Sequence, residues 1–166
     1  MMSVITEKTK NEFSDTKMLL EAIQQRRSIR NYSDKPIPQE IMEKIHEYIN
    51  SKELMSGPFS NTFKIVVLQK KMDQTPGTYG YIKNPPAVLA GEANYEKYTL
   101  FELAYVFHGL VLHLVSQGLQ TCWVRASFTH DDIVEAGGIE EKEIVPAIAF
   151  FGYQKEKKMV RDKSIL

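Results

Sequence analysis

The chain has a single cysteine, no net charge and no low-complexity tract. One cysteine, Cys122, excludes an internal disulfide framework and a cysteine-cluster metal site. Flanked by Thr121 and Trp123, it reads as a small buried filler. The balance of 21 Lys+Arg against 21 Asp+Glu leaves no global field to draw in nucleic acid or anionic lipid. Met1 to Ser14 lack the apolar core of a signal peptide; they read as an arm, flexible or packed on a partner. The most apolar stretch, Leu100 to Leu119, carries Glu102, His108, His113, Ser116 and Gln117, polar content that suits a buried helix better than a membrane span. Cytoplasm is the expected address.

The familiar catalytic signatures are missing as well. His46, His108, His113 and His130 show no metal-binding spacing. No nucleophile elbow surrounds any serine, and no GxGxxG or Walker loop appears. Glu140 and Glu141 lie in a polar turn and read as solvated surface. With no side-chain acid, base or nucleophile nominated, the pattern fits an enzyme whose cofactor carries the reaction.

What is present is one folded domain's worth of chain. A composition of 43% hydrophobic and 25% charged residues over 166 positions supports one core, expected over residues 15–166. Ser14 or Asp15 can cap a helix running to about Arg27, with Leu19, Ala22 and Ile23 on one face. A second helix from about Pro38 places Ile41, Ile45, Tyr48 and Ile49 at helical spacing. Phe63 to Leu68 is a strand signal, and a short strand is expected at Ala87 to Gly91 after Pro85-Pro86. A long apolar helix follows from about Tyr95 to Gln117, stopped by Gly118. Leu119 to Val124 reads as a strand or an extended entry to a turn. Thr129-x-x-Asp132 is a capping box for a short helix, and Val145 to Phe151 is the last strand. The sum is a mixed domain with a few strands among helices.

The densest chemistry lies at Arg26-Arg27-Ser28-Ile29-Arg30, three guanidiniums and a hydroxyl within five residues. Arginine's planar fork of donors matches anionic oxygens, so the segment suits a phosphate and an electron-rich ring; a solvated basic helix end is the plainer alternative.

These residues open an ordered set of motifs. Arg26 to Tyr32 is similar to the RRSxRxY/F segment of the nitroreductase family of FMN enzymes. Gly57-Pro58-Phe59-Ser60-Asn61 before a strand, Pro85-Pro86-Ala87-Val88, Gly118 to Val124 (GLQTCWV, beside the family's GLGTCW), and Phe151-Gly152-Tyr153 followed by Arg161 and Lys163 continue the resemblance in family order. It implies an α+β nitroreductase-like fold, a central and mostly antiparallel sheet flanked by helices, with the long helix at a homodimer interface that holds FMN. Carried over residue by residue, the resemblance gives Arg26 and Ser28 to the phosphate and ribityl chain and Arg30 to the N1–O2 edge of the flavin, and counts Arg27 among the cofactor-binding residues. It gives Asn61, or Ser60 in its place, to the ring edge, and the Trp123-Val124-Arg125 backbone to the neighbourhood of N5. Arg161 and Lys163 resemble the late basic pair that closes around the phosphate, with a solvated tail as the plainer alternative. Asn61 has a plainer role open to it, capping the turn before the strand. Arg125-Ala126 stands where the family commonly has Gly-Gly; Arg125 either adds charge over the ring or faces water. Tyr79, Tyr81, Phe101 and Tyr105 are candidates for pocket or interface packing, or else ordinary core and loop aromatics. The implied activity is NAD(P)H-driven, ping-pong reduction of nitroaromatic, quinone or similar acceptors. A flavin store or sensor without turnover is the alternative.

Overall fold

The computed structural model describes residues 7–69, 80–125, 128, 130–136, 139 and 144–156. Four strands form one antiparallel sheet in the order β1-β2-β4-β3: β1 (Phe63–Leu68), β2 (Ala87–Ala93), β3 (Gln120–Val124) and β4 (Ile148–Gly152). The sheet is covered on both faces, so its strands are apolar on both sides. Ile65, Leu89, Ala149 and Phe151 face helices α2 (Gln39–Asn50) and α3 (Thr99–Ser116), while Val88, Ala90, Ile148 and Phe150 face Tyr32, Ile82 and Ile133 of α4 (His130–Ala136). Strand alternation produces this division, each successive side chain crossing to the other face.

Helix α3 spans the domain. It is long and apolar enough to cross a membrane by length and composition, yet half of it is buried inside the fold. It ends in a Schellman motif: Leu119 N–H donates to the Leu114 carbonyl at 3.0 Å and Gly118 N–H to Val115 at 2.9 Å, with Gly118 at φ 79°. That turn feeds the chain directly into β3. Tyr98, at φ 70°, precedes the first turn, so the helix starts later than the apolar pattern from Tyr95 predicts.

Two expectations shift at the N-terminus. Helix α1 covers Glu7–Gln25, beginning well before the cap predicted at Ser14 or Asp15 and taking up part of the predicted arm. Nothing between Glu7 and Asp15 breaks a helix, and Glu and Lys favour one. Ala22 alone of the predicted face is buried, against Leu112 and Val115 of α3, whereas Leu19 and Ile23 are 42% and 56% exposed. A single helix crossing another covers only a narrow strip, and the small Ala22 lies within it. Of the predicted capping box, Thr129 lies outside the described residues.

Candidate functional site

The basic segment after α1 is held to the sheet as a short extra strand. Ile29 N–H donates to the Thr121 carbonyl of β3 at 2.9 Å, and Ser28 bridges Thr121 in parallel. Tyr32 N–H then bonds to the Lys83 carbonyl at 2.9 Å, and Lys83 N–H returns to Arg30 at 2.8 Å. Local alternation turns Ile29 toward the core and leaves Ser28 and Arg30 exposed. Tyr32 locks the segment from beneath: fully buried, it donates its hydroxyl to the Phe150 carbonyl at 3.1 Å. Burial pushes that phenol well above its ordinary value, with Cys122 adding and Arg30 opposing.

Ser28 is thereby brought to Thr121 and Cys122 of β3, the strand that runs on through Trp123 and Val124, and Arg30 and Arg26 lie close enough to act on the Cys122 thiol. Arg26 is half-buried; Arg27, Arg30 and Arg125 are exposed. Among the described residues none of these guanidiniums is ion-paired. Cys122 sits beneath the cluster, 2% exposed; burial raises its thiol pKa, while Arg30, a hydrogen bond with Ser28, and Arg26 pull the other way. Among the described residues, the Oγ1 of Thr121 is buried without a hydrogen-bond partner. Uncompensated cations, a free hydroxyl and a strand edge make a cradle suited to an anionic tail.

The C-terminal segment enters the same neighbourhood. Ser33 N–H donates to Tyr153 at 2.8 Å, Lys155 N–H to Asn31 at 2.9 Å, and Tyr32 bridges Gln154. The Lys35 ammonium lies 4.1 Å from the Tyr153 ring centre. Arg161 and Lys163 lie outside the described residues, as do Ala126 and Tyr79.

Asn61 and Ser60 are elsewhere. Their loop precedes β1, at the opposite edge of the sheet from β3, three strand steps or about 14 Å across. There the buried carboxylate of Glu102 on α3 gathers the loop: it accepts from Phe59 N–H at 3.0 Å, Ser60 N–H at 2.8 Å, Asn61 N–H at 2.7 Å and Asn61 Nδ2 at 2.7 Å. Ser60, at φ 56°, supplies the bend that turns successive N–H groups inward. Burial alone would raise the Glu102 pKa; the donors of Asn61, then Phe59 and Ser60, outweigh it and hold the carboxyl below its ordinary value. The Asn61 amide thus reaches across to α3 instead of capping its own turn. Glu102 counted in the sequence only as polar content, although a carboxylate inside an apolar helix signals that donors must come to it. On the outer side, Phe59 stacks on Tyr98 with centroids 4.8 Å apart, and Tyr81, Phe101 and Tyr105 are 75%, 72% and 68% exposed.

Comparison with known proteins adds a family to this geometry. A family model described as "Putative TM nitroreductase" matches residues 18–165. The chain belongs to the nitroreductase-like flavoproteins. No curated protein sequence matches it. Among solved structures it is similar to a nitroreductase family protein from Clostridium novyi NT, at 23% identity and TM-score 0.66, covering 84% of this chain and 88% of that one. An FMN-dependent nitroreductase from Clostridium difficile R20291 gives 23% identity and TM-score 0.61, covering 89% and 94%. A nitroreductase with bound FMN from Bacteroides fragilis gives 20% and 0.63, covering 89% and 97%. The expected α+β nitroreductase-like fold, an antiparallel sheet flanked by helices, is the fold observed.

One further residue, His108, stands against Trp123 and carried no assigned role in the sequence. His108 of α3 has its ring 6.2 Å from that of Trp123, and its pKa is lowered first by burial and then by the Arg26 charge. In the sequence it counted as polar content of an apolar helix and as a failed metal ligand. Its place in the stripe Phe101, Tyr105, His108 along α3 was the available signal.

Proposed function

We propose that this nitroreductase-like protein is an FMN-dependent NAD(P)H oxidoreductase that reduces nitroaromatic, quinone or similar electron-poor acceptors by ping-pong kinetics. The observation that carries the proposal is the convergence of Arg26, Ser28 and Arg30 on the edge of β3 with no carboxylate, among the described residues, paired to them. Such a cradle fits the dianionic phosphate of FMN, and a fixed Arg30 cation suits an electron-rich ring edge. FMN, when bound, supplies the two-electron redox chemistry that the side chains lack. Arg27 adds charge at the cradle's rim, and Trp123, Val124 and Arg125 offer backbone and ring surface beside the isoalloxazine. Arg161 and Lys163 complete the neutralisation; the tail that carries them starts against Asn31.

The proposed assembly is a homodimer with FMN at the interface. The loop of Ser60 and Asn61 and the cationic cradle lie at opposite sheet edges, so joining both around one flavin calls for a second copy. Exposed Phe101 and Tyr105 on α3, with Leu20 and Ile23 on α1, supply the apolar surface for that contact. A cytoplasmic setting is in keeping with the unpaired, buried Cys122.

A visible absorption spectrum tests the reading. The purified protein is expected to be yellow, or to become so with FMN, and to oxidise NADH or NADPH when menadione or a nitroaromatic is supplied. Anaerobic mixing with either nicotinamide is expected to bleach the colour. Persistent colour would instead mark a flavin binder without turnover, and a protein that stays colourless in excess FMN would remove both.

A further inference from the structure

A carboxylate with every acceptor site filled lies under the loop before β1. Oε1 of Glu102 accepts the Phe59 and Ser60 N–H groups at 3.0 and 2.8 Å, and Oε2 accepts the N–H and the Nδ2 of Asn61, both at 2.7 Å. Glu102 is fully buried, and two donors on each oxygen occupy its four lone-pair positions. An ionised carboxylate only accepts, so the Asn61 amide atom that faces it is the nitrogen. The amide is planar, and with Nδ2 on Glu102 its Oδ1 faces away. Among the described residues Oδ1 has no hydrogen-bond partner, and Asn61 is half-buried. Asn61 therefore shows an acceptor to whatever meets the loop, its donors being already engaged.

We propose that Glu102 is a positioning residue for recognition of the ring edge: it fixes the Asn61 amide with Oδ1 outward, so that the edge selected is one carrying an N–H donor. The inference rests on the reading in which this loop meets a flavin held by a second copy's cationic segment. The pyrimidine edge of a flavin has one donor, the N3–H, between two carbonyl acceptors. A freely turning amide would suit either kind of atom. Glu102 removes that freedom, because turning the amide over would set Oδ1 against an anion and lose a charge-assisted bond. Oδ1 facing N3–H makes a hydrogen bond; Oδ1 facing a flavin carbonyl makes none and leaves two acceptors opposed. The same geometry separates Asn61 from Ser60, whose N–H is taken by Glu102 and whose side chain is exposed with nothing to orient it among the described residues. A residue of α3 that touches no ligand thus sets what the loop accepts.

The experiment is a visible-absorbance titration of the full chain with FMN, with 3-methyl-FMN, which lacks the N3 donor, and with 4-thio-FMN, whose O4 acceptor is weakened. The wild type is expected to bind FMN about 10-fold or more tightly than 3-methyl-FMN, from the unmade hydrogen bond. Asn61→Ala and Glu102→Gln are each expected to shrink that ratio several-fold while the FMN to 4-thio-FMN ratio stays at its wild-type value. A merely structural role would not do this, since a loosened loop weakens all three flavins alike. Should Glu102→Gln not fold, the wild-type Asn61 Nδ2 protons, assigned as the pair missing from Asn61→Ala, carry the test by NMR. They are expected to exchange slowly with water both free and with FMN bound; fast exchange in the complex overturns the inference. A wild type indifferent to N3 methylation, a ratio unchanged in either variant, or a shifted 4-thio ratio also overturns it, and each leaves the flavin reading standing. Absence of any FMN binding by the wild-type chain removes that reading and this inference together.

Discussion

The Nδ2 of Asn61 donates to Oε2 of Glu102 at 2.7 Å, joining the loop before β1 to the first turns of α3. Three backbone N–H groups converge on the same carboxylate, so one buried charge fixes the course of a whole loop. The stacked Phe59–Tyr98 pair sits on the outside of this anchor. The loop's position toward any neighbouring subunit therefore depends on a residue forty-odd positions away.

Gly57 is the clearance that lets Glu102 in. A Cβ at Gly57 would overlap the Glu102 Cγ and come within 2.6 Å of its Oε1. Gly57→Ala is expected to destabilise the fold by about 1–3 kcal/mol, the ordinary cost of overpacking a tight site. Urea unfolding measured with unchanged m-value checks it, and a neutral result would mean that the carboxylate can shift freely.

Acid should release the same anchor. Because the folded Glu102 pKa is depressed, its contribution to stability is complete above the ordinary carboxyl value of 4.5 and is lost as pH falls through the lower folded value. Glu102→Gln removes this dependence. Unfolding free energies of the two proteins, compared from roughly pH 3 to 6, are expected to converge toward the acid end.

Arg26 is predicted to act on the phosphate and not on the ring. Arg26→Gln is expected to weaken FMN binding about 10- to 100-fold, from the loss of a charge-assisted hydrogen bond of about 1.5–3 kcal/mol. Riboflavin affinity should change little. Fluorescence titration with both flavins separates the two cases, and equal losses would move Arg26 away from the phosphate.

Tyr32 offers a test of how firmly the cationic segment is held. Tyr32→Phe deletes the 3.1 Å bond to the Phe150 carbonyl while keeping the buried ring. A loss of about 1 kcal/mol is expected. Amide hydrogen exchange should show faster opening of Ile29 and Tyr32, whose N–H groups hold the segment to Thr121 and Lys83.

The exposed face of α3 is predicted to meet a second copy. Phe101→Lys places a charge where a 72% exposed aromatic now stands. Light scattering is expected to show a dimer for the wild-type chain and a shift toward monomer for the variant. An unchanged mass for both would place the interface elsewhere.

The local elements were legible because their signals are local. β1 occupies Phe63–Leu68 as its branched apolar run predicts, and α2 starts just after Pro38. Gly118 ends α3 because only a left-handed residue without a side-chain penalty closes the Schellman turn. The Arg26 to Arg30 cluster also stood out, since its chemistry is written in five adjacent residues. The exposure of Leu19 and Ile23 was not legible, because periodicity shows which residues share a face and not how wide its cover is.

By itself, then, the sequence determined the elements, their order, the cationic segment and the family to which the chain belongs. Tertiary structure decided that Glu102 would hold residues 59–61, that His108 would come to rest beside Trp123, and that Asn61 and Arg30 would lie at opposite sheet edges. The physical reason is range. Helix and strand preferences act over a few residues, whereas a buried carboxylate or an imidazole acquires its partners only when the chain path delivers donors and charges from far along it.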